Sequence, residues 1–374
     1  MFKLNSNIIS KQLLVSSSRM YSSITARALV YDTYGEPKDV INVHKYEVHA
    51  PQGNEIVLQT LAAPINPSDI NQVQGVYPSR PELTTELGTE KPSAVGGNEG
   101  LFKIVAVGDQ VSNFQIGDWC IPKGVNYGTW RTHLLSTQDK FQKLDNSALT
   151  KTQAATIAVN PCTAYQMLTM YADLKKGDWF IQNGGNSQVG QYAIQIGKAL
   201  GLQSISIVRD RPDIDELKQQ LYDLGATKVI TEKENAAREF GKTVKEWTGG
   251  KPIRLGLNCV GGENLTNMAR KLGQDAVLLT YGGMSMKPVT LPTTLFIFKN
   301  LTAKGFWITE NGKGDPILKE KTVEAVLDLY SKGLLKEVPV NQFKLDLESL
   351  TDEKYLETFH SALQSHGKSL IVYE

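Results

Sequence analysis

A run of small residues follows a short apolar segment and is suited to binding phosphate. Residues 179–182 are followed by Asn-Gly-Gly-Asn-Ser-Gln-Val-Gly over residues 183–190, and an amphipathic pattern begins at once. Small residues let the backbone turn sharply and approach a pyrophosphate, whose charge is favoured at a helix N-terminus. We therefore predict a dinucleotide-binding loop. Because Asn186 stands near the middle glycine position of G-x-G-x-x-G, a tight turn without a ligand is the alternative.

Two arginines follow the next predicted strand, which covers residues 204–208. In an NAD-specific fold this strand ends near an acidic side chain that bonds the ribose 2′-hydroxyl. Here the strand is followed by Arg209, Asp210 and Arg211. Two guanidinium groups suit a 2′-phosphate, which arginine binds through paired hydrogen bonds, so the pattern favours NADPH over NADH. Asp210 is the counter-argument, since it could bond a ribose hydroxyl itself, and a solvated charge cluster is the alternative.

Side chains that could ligate a metal are few and scattered. The three cysteines, Cys120, Cys162 and Cys259, form no C-x-x-C pair, and the five histidines have no paired spacing. A catalytic zinc needs three or four convergent cysteine, histidine or carboxylate ligands. We therefore expect no metal, and without one an alcohol dehydrogenase would lack the group that stabilises an alkoxide.

The elements that must position these residues are of two kinds. Up to about residue 149 the chain has short β-rich runs that end at Gly or Pro, such as 55–61 and 100–107, which predict a partly open β-barrel or sandwich. From about residue 152, buried strands alternate with amphipathic helices, as in βαβ units around a parallel sheet. The predicted strands are 179–182, 204–208, 228–231, 255–260 and 276–281, with a helix over 187–200.

The two ends of the chain have separate roles in the prediction. The first 31 residues contain no Asp or Glu and are rich in serine and basic residues, which is typical of a mitochondrial transit peptide and predicts the matrix as location; an untargeted tail is the alternative. A helix over 355–365 and a strand over 369–373 are expected to return to the first domain. The predicted domains are 1–21, the transit peptide; 22–155, the first part of a catalytic domain; 156–337, the nucleotide-binding domain; and 338–374, the returning part of the catalytic domain.

Length and composition set the remaining limits. A chain of 374 residues that is 41% hydrophobic and 21% charged can bury more than one core, so we expect two domains. Lys+Arg number 40 against Asp+Glu 39, and this balance removes the global electrostatic reason to expect nucleic acid or a membrane surface as a partner. No apolar run approaches the ~20 residues of a membrane-spanning helix.

Together the two domains resemble the medium-chain dehydrogenase/reductase superfamily over nearly the whole chain after the leader. Gly-Gly-Asn-Glu-Gly at residues 96–100 resembles the superfamily's Gly-His-Glu segment, with Asn98 where a zinc-binding histidine would stand. Asn-Pro-Ser-Asp-Ile-Asn-Gln at 66–72 leads into Gly-Val-Tyr-Pro at 75–78, which is similar to fungal mitochondrial 2-enoyl thioester reductases. The resemblance extends through residues 281–284, 306–308 and 367–369. It implies an α/β fold with a GroES-like β-rich catalytic domain and a doubly wound, Rossmann-type nucleotide-binding domain.

The resemblance also implies an activity. Such reductases use NADPH to convert trans-2-enoyl thioesters into acyl thioesters in mitochondrial fatty acid synthesis, with hydride to C3 and a proton to C2. The tyrosine that matches the family's proton donor is Tyr77. A phenol with a reference pKa of ~10 is protonated at neutral pH and can donate without special tuning. Aromatic packing at a proline-containing turn is the alternative for Tyr77, and the sequence leaves open whether acyl carrier protein or coenzyme A carries the thioester.

By the same resemblance, the residues expected to contact NADPH come from six segments of the chain. They are Asn160; Asn186, Ser187, Gln188 and Val189; Arg209, Asp210 and Arg211; Tyr281, Gly282, Gly283 and Met284; Phe306, Trp307 and Ile308; and Lys368. Trp307 could also wall the acyl pocket, with a buried strand-end tryptophan as the alternative. For Lys368 the alternative is a solvated surface lysine. The strand and glycine pattern over 291–305 resembles the edge through which these enzymes form homodimers.

Two other functions fit the same fold. An NADPH:quinone oxidoreductase would share the zinc-free site and the arginines, but it would not need an acid for C2, so Tyr77 and the leader favour acyl chemistry. A non-catalytic nucleotide-sensing or nucleic-acid-binding protein is the second alternative, because a fold does not guarantee an activity. The net charge of +1 and the lack of a basic, aromatic-interleaved segment weigh against nucleic acid.

Overall fold

The computed structural model describes residues 23–147 and 149–374. The predicted transit peptide, residues 1–21, lies outside the described residues. The first strand in the described part begins at Ile24, shortly after the predicted end of the transit peptide. Within those two ranges no helix combines the length and the apolar character that crossing a membrane requires.

The first half of the chain is made of short strands, as its punctuated β-rich runs predict. The strands are β1 (Ile24–Tyr31), β2 (Asn42–Val48), β3 (Glu55–Ile65), β4 (Ala94–Val95), β5 (Leu101–Val107), β6 (Trp119–Pro122), β7 (His133–Thr137) and β8 (Phe141–Leu144), and the helices are α1 (Pro37–Val40), α2 (Pro67–Val73) and a 3-10 turn over Gln138–Lys140. β1, β2 and β4 form a three-stranded sheet, whereas β3 and β5 to β8 belong to a seven-stranded one. The sheets meet where the Leu29 amide donates to the Trp130 carbonyl at 2.9 Å.

The second half alternates strands and helices. They are α3 (Lys151–Thr156), α4 (Asn160–Met170), β9 (Trp179–Asn183), α5 (Gln188–Ala199), β10 (Gln203–Val208), α6 (Ile214–Asp223), β11 (Lys228–Thr231), α7 (Glu232–Ala236), α8 (Phe240–Trp247), β12 (Leu255–Asn258), α9 (Gly262–Ala269), β13 (Val277–Thr280), α10 (Thr293–Lys299), β14 (Thr302–Gly305), α11 (Ile308–Gly314) and α12 (Pro316–Ser331). The six strands pair in parallel in the order β11-β10-β9-β12-β13-β14. This is the doubly wound Rossmann order, in which the chain reverses direction across the sheet between β9 and β12.

The last segment returns to the first half. It contains β15 (Asn341–Leu345), α13 (Asp352–Gln364) and β16 (Ser369–Tyr373). β16 pairs antiparallel with β3, so that Ser369 lies opposite Ile65, and β15 extends this sheet in parallel with β16. α13 begins before the predicted residue 355 because Thr351 caps it by accepting the Lys354 amide at 3.1 Å. The bounds of the two domains, 22–155 with 338–374 and 156–337, stay predictions.

The segment over 291–305 differs from its predicted strand pattern. α10 occupies residues 293–299 and ends at Asn300, which has a left-handed φ of 47°. The aromatic and β-branched residues of this segment favour a strand, but burial of Leu295 against the core around β13 supports a helix instead. Only β14 is a strand; all of its residues are exposed, and it forms the edge of the six-stranded sheet.

One apolar core joins the two halves and fixes their relative position. Leu61, Leu101 and Leu144 from the first half pack in the same buried cluster as Phe180 and Leu257 from the second. Burying large apolar side chains together is the main stabilising contribution to such contacts. Side chains from the two halves can therefore form one site between them.

Candidate active site

Tyr77 lies in the turn that follows α2. Its amide and that of Val76 donate to the Asn71 carbonyl at 3.1 and 3.0 Å. Gly75 opens the turn with a φ of +75°, and a Cβ there would lie 2.8 Å from the ring of Tyr34, so only glycine fits. The local chain therefore presents the half-buried side chain of Tyr77 from a fixed backbone.

A tryptophan from the other half of the molecule contacts Tyr77. The Trp307 indole Nε1 donates to the Tyr77 hydroxyl at 2.7 Å, and the rings are perpendicular with centroids 5.6 Å apart. An indole can only donate, so the Tyr77 oxygen accepts this bond and its own hydrogen can be donated in another direction. Burial is the largest influence on the pKa of Tyr77 and raises it, while the bond from Trp307 lowers it. The net effect is a raised pKa, which keeps the Tyr77 phenol protonated at neutral pH.

The loop after β9 has the geometry of a phosphate cradle. Gly184 has a φ of +62°, and a Cβ there would lie 2.4 Å from the Cys259 sulfur. A Cβ on Gly190 would lie 2.5 Å from the Gly184 carbonyl oxygen. Ser187 caps α5 by accepting the Gly190 amide at 3.1 Å, which fixes the loop against the helix. The predicted contacts Asn186, Ser187, Gln188 and Val189 occupy this loop and the first turn of α5.

The arginine cluster lies at the end of β10 and is exposed. The Asp210 carboxylate accepts the Lys233 amide at 3.2 Å, and Arg211 pairs with Asp213 at the same distance. One Asp210 oxygen is thus hydrogen-bonded to a backbone amide in the first turn of α7. Arg209 and Arg211 are both exposed and follow the end of β10, the strand that pairs with β9 beside the phosphate loop.

The other predicted cofactor contacts follow β13 and β14. Tyr281, Gly282, Gly283 and Met284 come after β13, and Phe306, Trp307 and Ile308 come after β14. The carboxyl ends of parallel strands share one edge of the sheet, where nucleotides bind in this type of fold. The Tyr281 hydroxyl is buried beside the side chains of Cys259 and Ser187. Asn160, at the start of α4, and Lys368, before β16, come from outside this edge.

Lys368 belongs to a buried charged group beside α2. Its ammonium donates to the Asn66 side-chain oxygen, and the Asn66 amide donates to Glu99 at 3.1 Å. The other Glu99 oxygen accepts the Val159 amide, one residue before Asn160, at 2.9 Å. Burial raises the pKa of Glu99 and lowers that of Lys368, and the attraction between their charges opposes both shifts. Lys368 is thus a partly buried lysine, hydrogen-bonded to Asn66 and attracted by the Glu99 and Asp69 carboxylates.

A cluster of amide side chains fills the region in which the sequence places a zinc-binding histidine in related enzymes. The Asn98 amide donates to the buried carboxylate of Asp69 and to the Gln72 oxygen, both at 2.6 Å. The Gln72 amide in turn donates to the Asn126 oxygen at 2.8 Å. Within residues 23–147 and 149–374, no three His, Cys, Asp or Glu side chains are grouped so as to hold a metal ion. Sequence reasoning singled out Asn98 but neither Gln72 nor Asn126, since an isolated amide residue has no motif.

Comparison with known proteins gives two domain families and close relatives. The alcohol dehydrogenase GroES-like domain matches residues 52–141, and the zinc-binding dehydrogenase domain matches residues 189–332. The mitochondrial enoyl-[acyl-carrier-protein] reductase 2 of Debaryomyces hansenii is 52% identical over 375 residues, which cover 96% of each chain. An NADPH quinone oxidoreductase of Kluyveromyces marxianus is 42% identical over 380 residues, 98% of this chain and 99% of that protein.

Solved structures give the same relationship. A complex of Etr1p with NADP and crotonyl-CoA has a TM-score of 0.90 at 50% identity, and the match covers 94% of this chain and all of that one. The mitochondrial 2-enoyl thioester reductase heterodimer Etr1p/Etr2p of Candida tropicalis has a TM-score of 0.89 at 49% identity, with the same coverage. The similarity therefore extends over both halves of the molecule and the site between them.

Proposed function

The chain belongs to the family of mitochondrial enoyl-[acyl-carrier-protein] reductases within the medium-chain dehydrogenase/reductase superfamily, and from this membership we propose that Tyr77 is its proton donor. It is a mitochondrial, NADPH-dependent enoyl thioester reductase that saturates the C2–C3 double bond of trans-2-enoyl thioesters. NADPH, when bound, supplies the hydride that C3 receives. The chain itself must then supply a proton to C2 and hold the reactants in place.

The observation that carries the proposal is the 2.7 Å hydrogen bond from Trp307 to Tyr77. Because Tyr77 accepts this bond, its own hydrogen can be directed to the substrate carbon. Donation leaves negative charge on the phenol oxygen, and a hydrogen bond to a charged oxygen is stronger than one to a neutral oxygen. Trp307 thus stabilises the product form of Tyr77 more than its starting form, which favours proton transfer.

The residues at the carboxyl edge of the six-stranded sheet fit a dinucleotide. We propose that Gly184 and Gly190, where a Cβ would collide with the Cys259 sulfur and with the Gly184 carbonyl oxygen, let the loop adopt the tight shape that binds the pyrophosphate. The exposed guanidinium groups of Arg209 and Arg211 suit the 2′-phosphate. The buried Tyr281 hydroxyl, beside Ser187 of the loop, is a further candidate contact. Asn160 and Lys368, which lie outside this edge of the sheet, would complete the set of NADPH contacts.

A quinone reductase is the second candidate, favoured by the relative named NADPH quinone oxidoreductase. The test is to compare NADPH oxidation by crotonyl-CoA and by a soluble quinone at equal enzyme concentration. We expect fast turnover of the enoyl thioester and slow turnover of the quinone. Quinone turnover in the absence of enoyl turnover would overturn the proposal.

The natural carrier of the acyl chain is a separate proposal. The relatives' names support acyl carrier protein, and the solved complex of Etr1p holds crotonyl-CoA. Both carriers present a thioester, so the choice depends on surfaces beyond the reacting carbons. We expect a lower KM for an enoyl thioester on acyl carrier protein than for its coenzyme A counterpart, and the reverse ranking would contradict this expectation.

We propose that two copies of the chain pair through β14. This strand is exposed and lies at the sheet edge, where unpaired backbone groups can bond a second strand. Phe296, Ile297 and Phe298 on the neighbouring helix are also exposed. The heterodimer of Candida tropicalis reductases supports pairing between such chains. Light scattering should give a dimer, whereas a mass of at most 41.3 kDa, that of one chain, would exclude it.

A further inference from the structure

The turn that carries Tyr77 is tied to α2 on both sides. Before Tyr77, the Asn71 carbonyl accepts two amides of the turn. After it, the side-chain amide of Gln72 donates to the carbonyl oxygen of Ser79 at 2.7 Å. Ser79 is itself buried, and its hydroxyl accepts the Asn126 amide at 3.1 Å. The backbone on both sides of Tyr77 is therefore fixed by adjacent residues of one helix end.

Gln72 has no freedom to release this contact. It is 4% exposed. Its amide also donates to the Asn126 oxygen at 2.8 Å, and its own oxygen accepts the Asn98 amide at 2.6 Å. Asn98 is held in turn by the buried carboxylate of Asp69. A buried network with its donors and acceptors paired has one low-energy arrangement, so the side chain of Gln72 has a single orientation.

We infer that Gln72 is a positioning residue for proton transfer, an inference that rests on the proposed role of Tyr77 as donor. Gln72 acts through the backbone at Ser79, two residues beyond Tyr77, and holds the turn so that the phenol meets both Trp307 and the substrate carbon. Displacing a reacting group by about 1 Å can cost on the order of 100-fold in rate.

The first test compares two glutamines of the same helix end. Gln72→Met removes the amide and keeps the length of the side chain, whereas Gln74→Met is the matched control, because the Gln74 amide bonds Glu36 at the surface. We expect Gln72→Met to lower kcat for crotonyl-CoA by about tenfold or more. The KM for crotonyl-CoA and the Kd for NADPH should stay within about twofold, and Gln74→Met should keep the wild-type kcat.

The second test asks whether the loss passes through Tyr77. Each glutamine substitution is repeated in a Tyr77→Phe enzyme, where a double-mutant cycle measures the coupling. If Gln72 only positions Tyr77, then Gln72→Met lowers kcat no further once the phenol is absent. If Gln72 instead supports the fold in general, the two losses multiply.

The outcomes separate the inference from the function on which it rests. Wild-type kcat in Gln72→Met, or multiplying losses in the double variant, would overturn the inference. Wild-type kcat in Tyr77→Phe would overturn the proposed proton donor instead. If Gln72→Met does not fold, Asn126→Gly replaces it, because glycine keeps the left-handed backbone of this position, φ 59°, and removes the side-chain hydrogen bonds to Gln72 and to the Ser79 hydroxyl. A smaller kcat loss that disappears in the Tyr77→Phe background is then expected, and an unchanged kcat would overturn the inference.

Discussion

The phosphate loop and the Tyr77 turn are built in different ways. The phosphate loop is one continuous run, residues 183–190, whose shape depends on glycines packed against backbone and against Cys259. The Tyr77 turn depends on side chains from distant parts of the chain, including Trp307, 230 residues away. Cofactor binding should therefore depend on backbone shape, and proton transfer on side-chain hydrogen bonds. Substitutions should separate the two functions.

The largest expected effect is that of Tyr77→Phe. It removes the proposed proton donor and keeps the ring, so kcat for crotonyl-CoA should fall by about 10²- to 10⁴-fold, the usual contribution of a general acid. NADPH affinity, measured by fluorescence titration, should stay within about twofold if the two regions are separate. Tyr222→Phe on α6 is the matched control and should keep full activity. A large loss of NADPH affinity in Tyr77→Phe would contradict the separation.

Gly190→Ala tests whether the backbone shape of the phosphate loop determines cofactor binding. The added Cβ would lie 2.5 Å from the Gly184 carbonyl oxygen and 2.8 Å from that of Gly185, so the loop must move. We expect the Kd for NADPH to rise by a few tens of times, or ~2 kcal/mol, with a smaller change in kcat at saturating NADPH. Gly241→Ala on α8 is the control, because its Cβ would meet no atom within 4 Å. Wild-type NADPH affinity in Gly190→Ala would show that the loop does not hold the cofactor.

The same contrast explains what the sequence could predict. β11 and β16 have the predicted bounds, and the phosphate loop lies at the predicted junction, because periodicity and glycine spacing are local signals. The helix α10 is not predicted, since its residues favour a strand and only burial of Leu295 supports a helix. Gln72 and Asn126 could not be predicted either, because their roles depend on partners that only folding brings near. The resemblance marked Asn98 as a substituted zinc ligand and gave no sign of what it bonds.

Replacing both arginines after β10 with alanine tests the preference for NADPH over NADH. In Arg209→Ala/Arg211→Ala the 2′-phosphate would lose its cationic partners, whose bonds at an exposed site contribute about 1.4 kcal/mol, or tenfold in affinity. The Kd for NADPH should therefore rise about tenfold, while that for NADH should change little. Arg238→Ala, at another exposed position of the same half, is the control. An equal rise in Kd for NADPH and for NADH would mean that the arginines support the fold and do not bind the 2′-phosphate.

Trp307→Phe should give the smallest change in kcat, and it tests whether Trp307 acts in the Tyr77 turn, in cofactor binding or in both. The ring can still pack at right angles to Tyr77, but the indole N–H is lost, and one such bond is worth ~0.5–1.5 kcal/mol, so kcat should fall about threefold.

The pH dependence of this variant has a definite sign. The Trp307 N–H lowers the pKa of Tyr77, because it favours the phenolate. Without it that pKa rises, and since the protonated phenol is the active form, the alkaline limb of kcat should move to higher pH. Trp247→Phe on α8 is the control, and an unmoved limb would mean that the indole bond does not tune the donor. Trp307 is also one of the predicted cofactor contacts. An unchanged Kd for NADPH in this variant would assign Trp307 to the Tyr77 turn alone. A raised Kd would show that Trp307 contributes both to proton transfer and to cofactor binding.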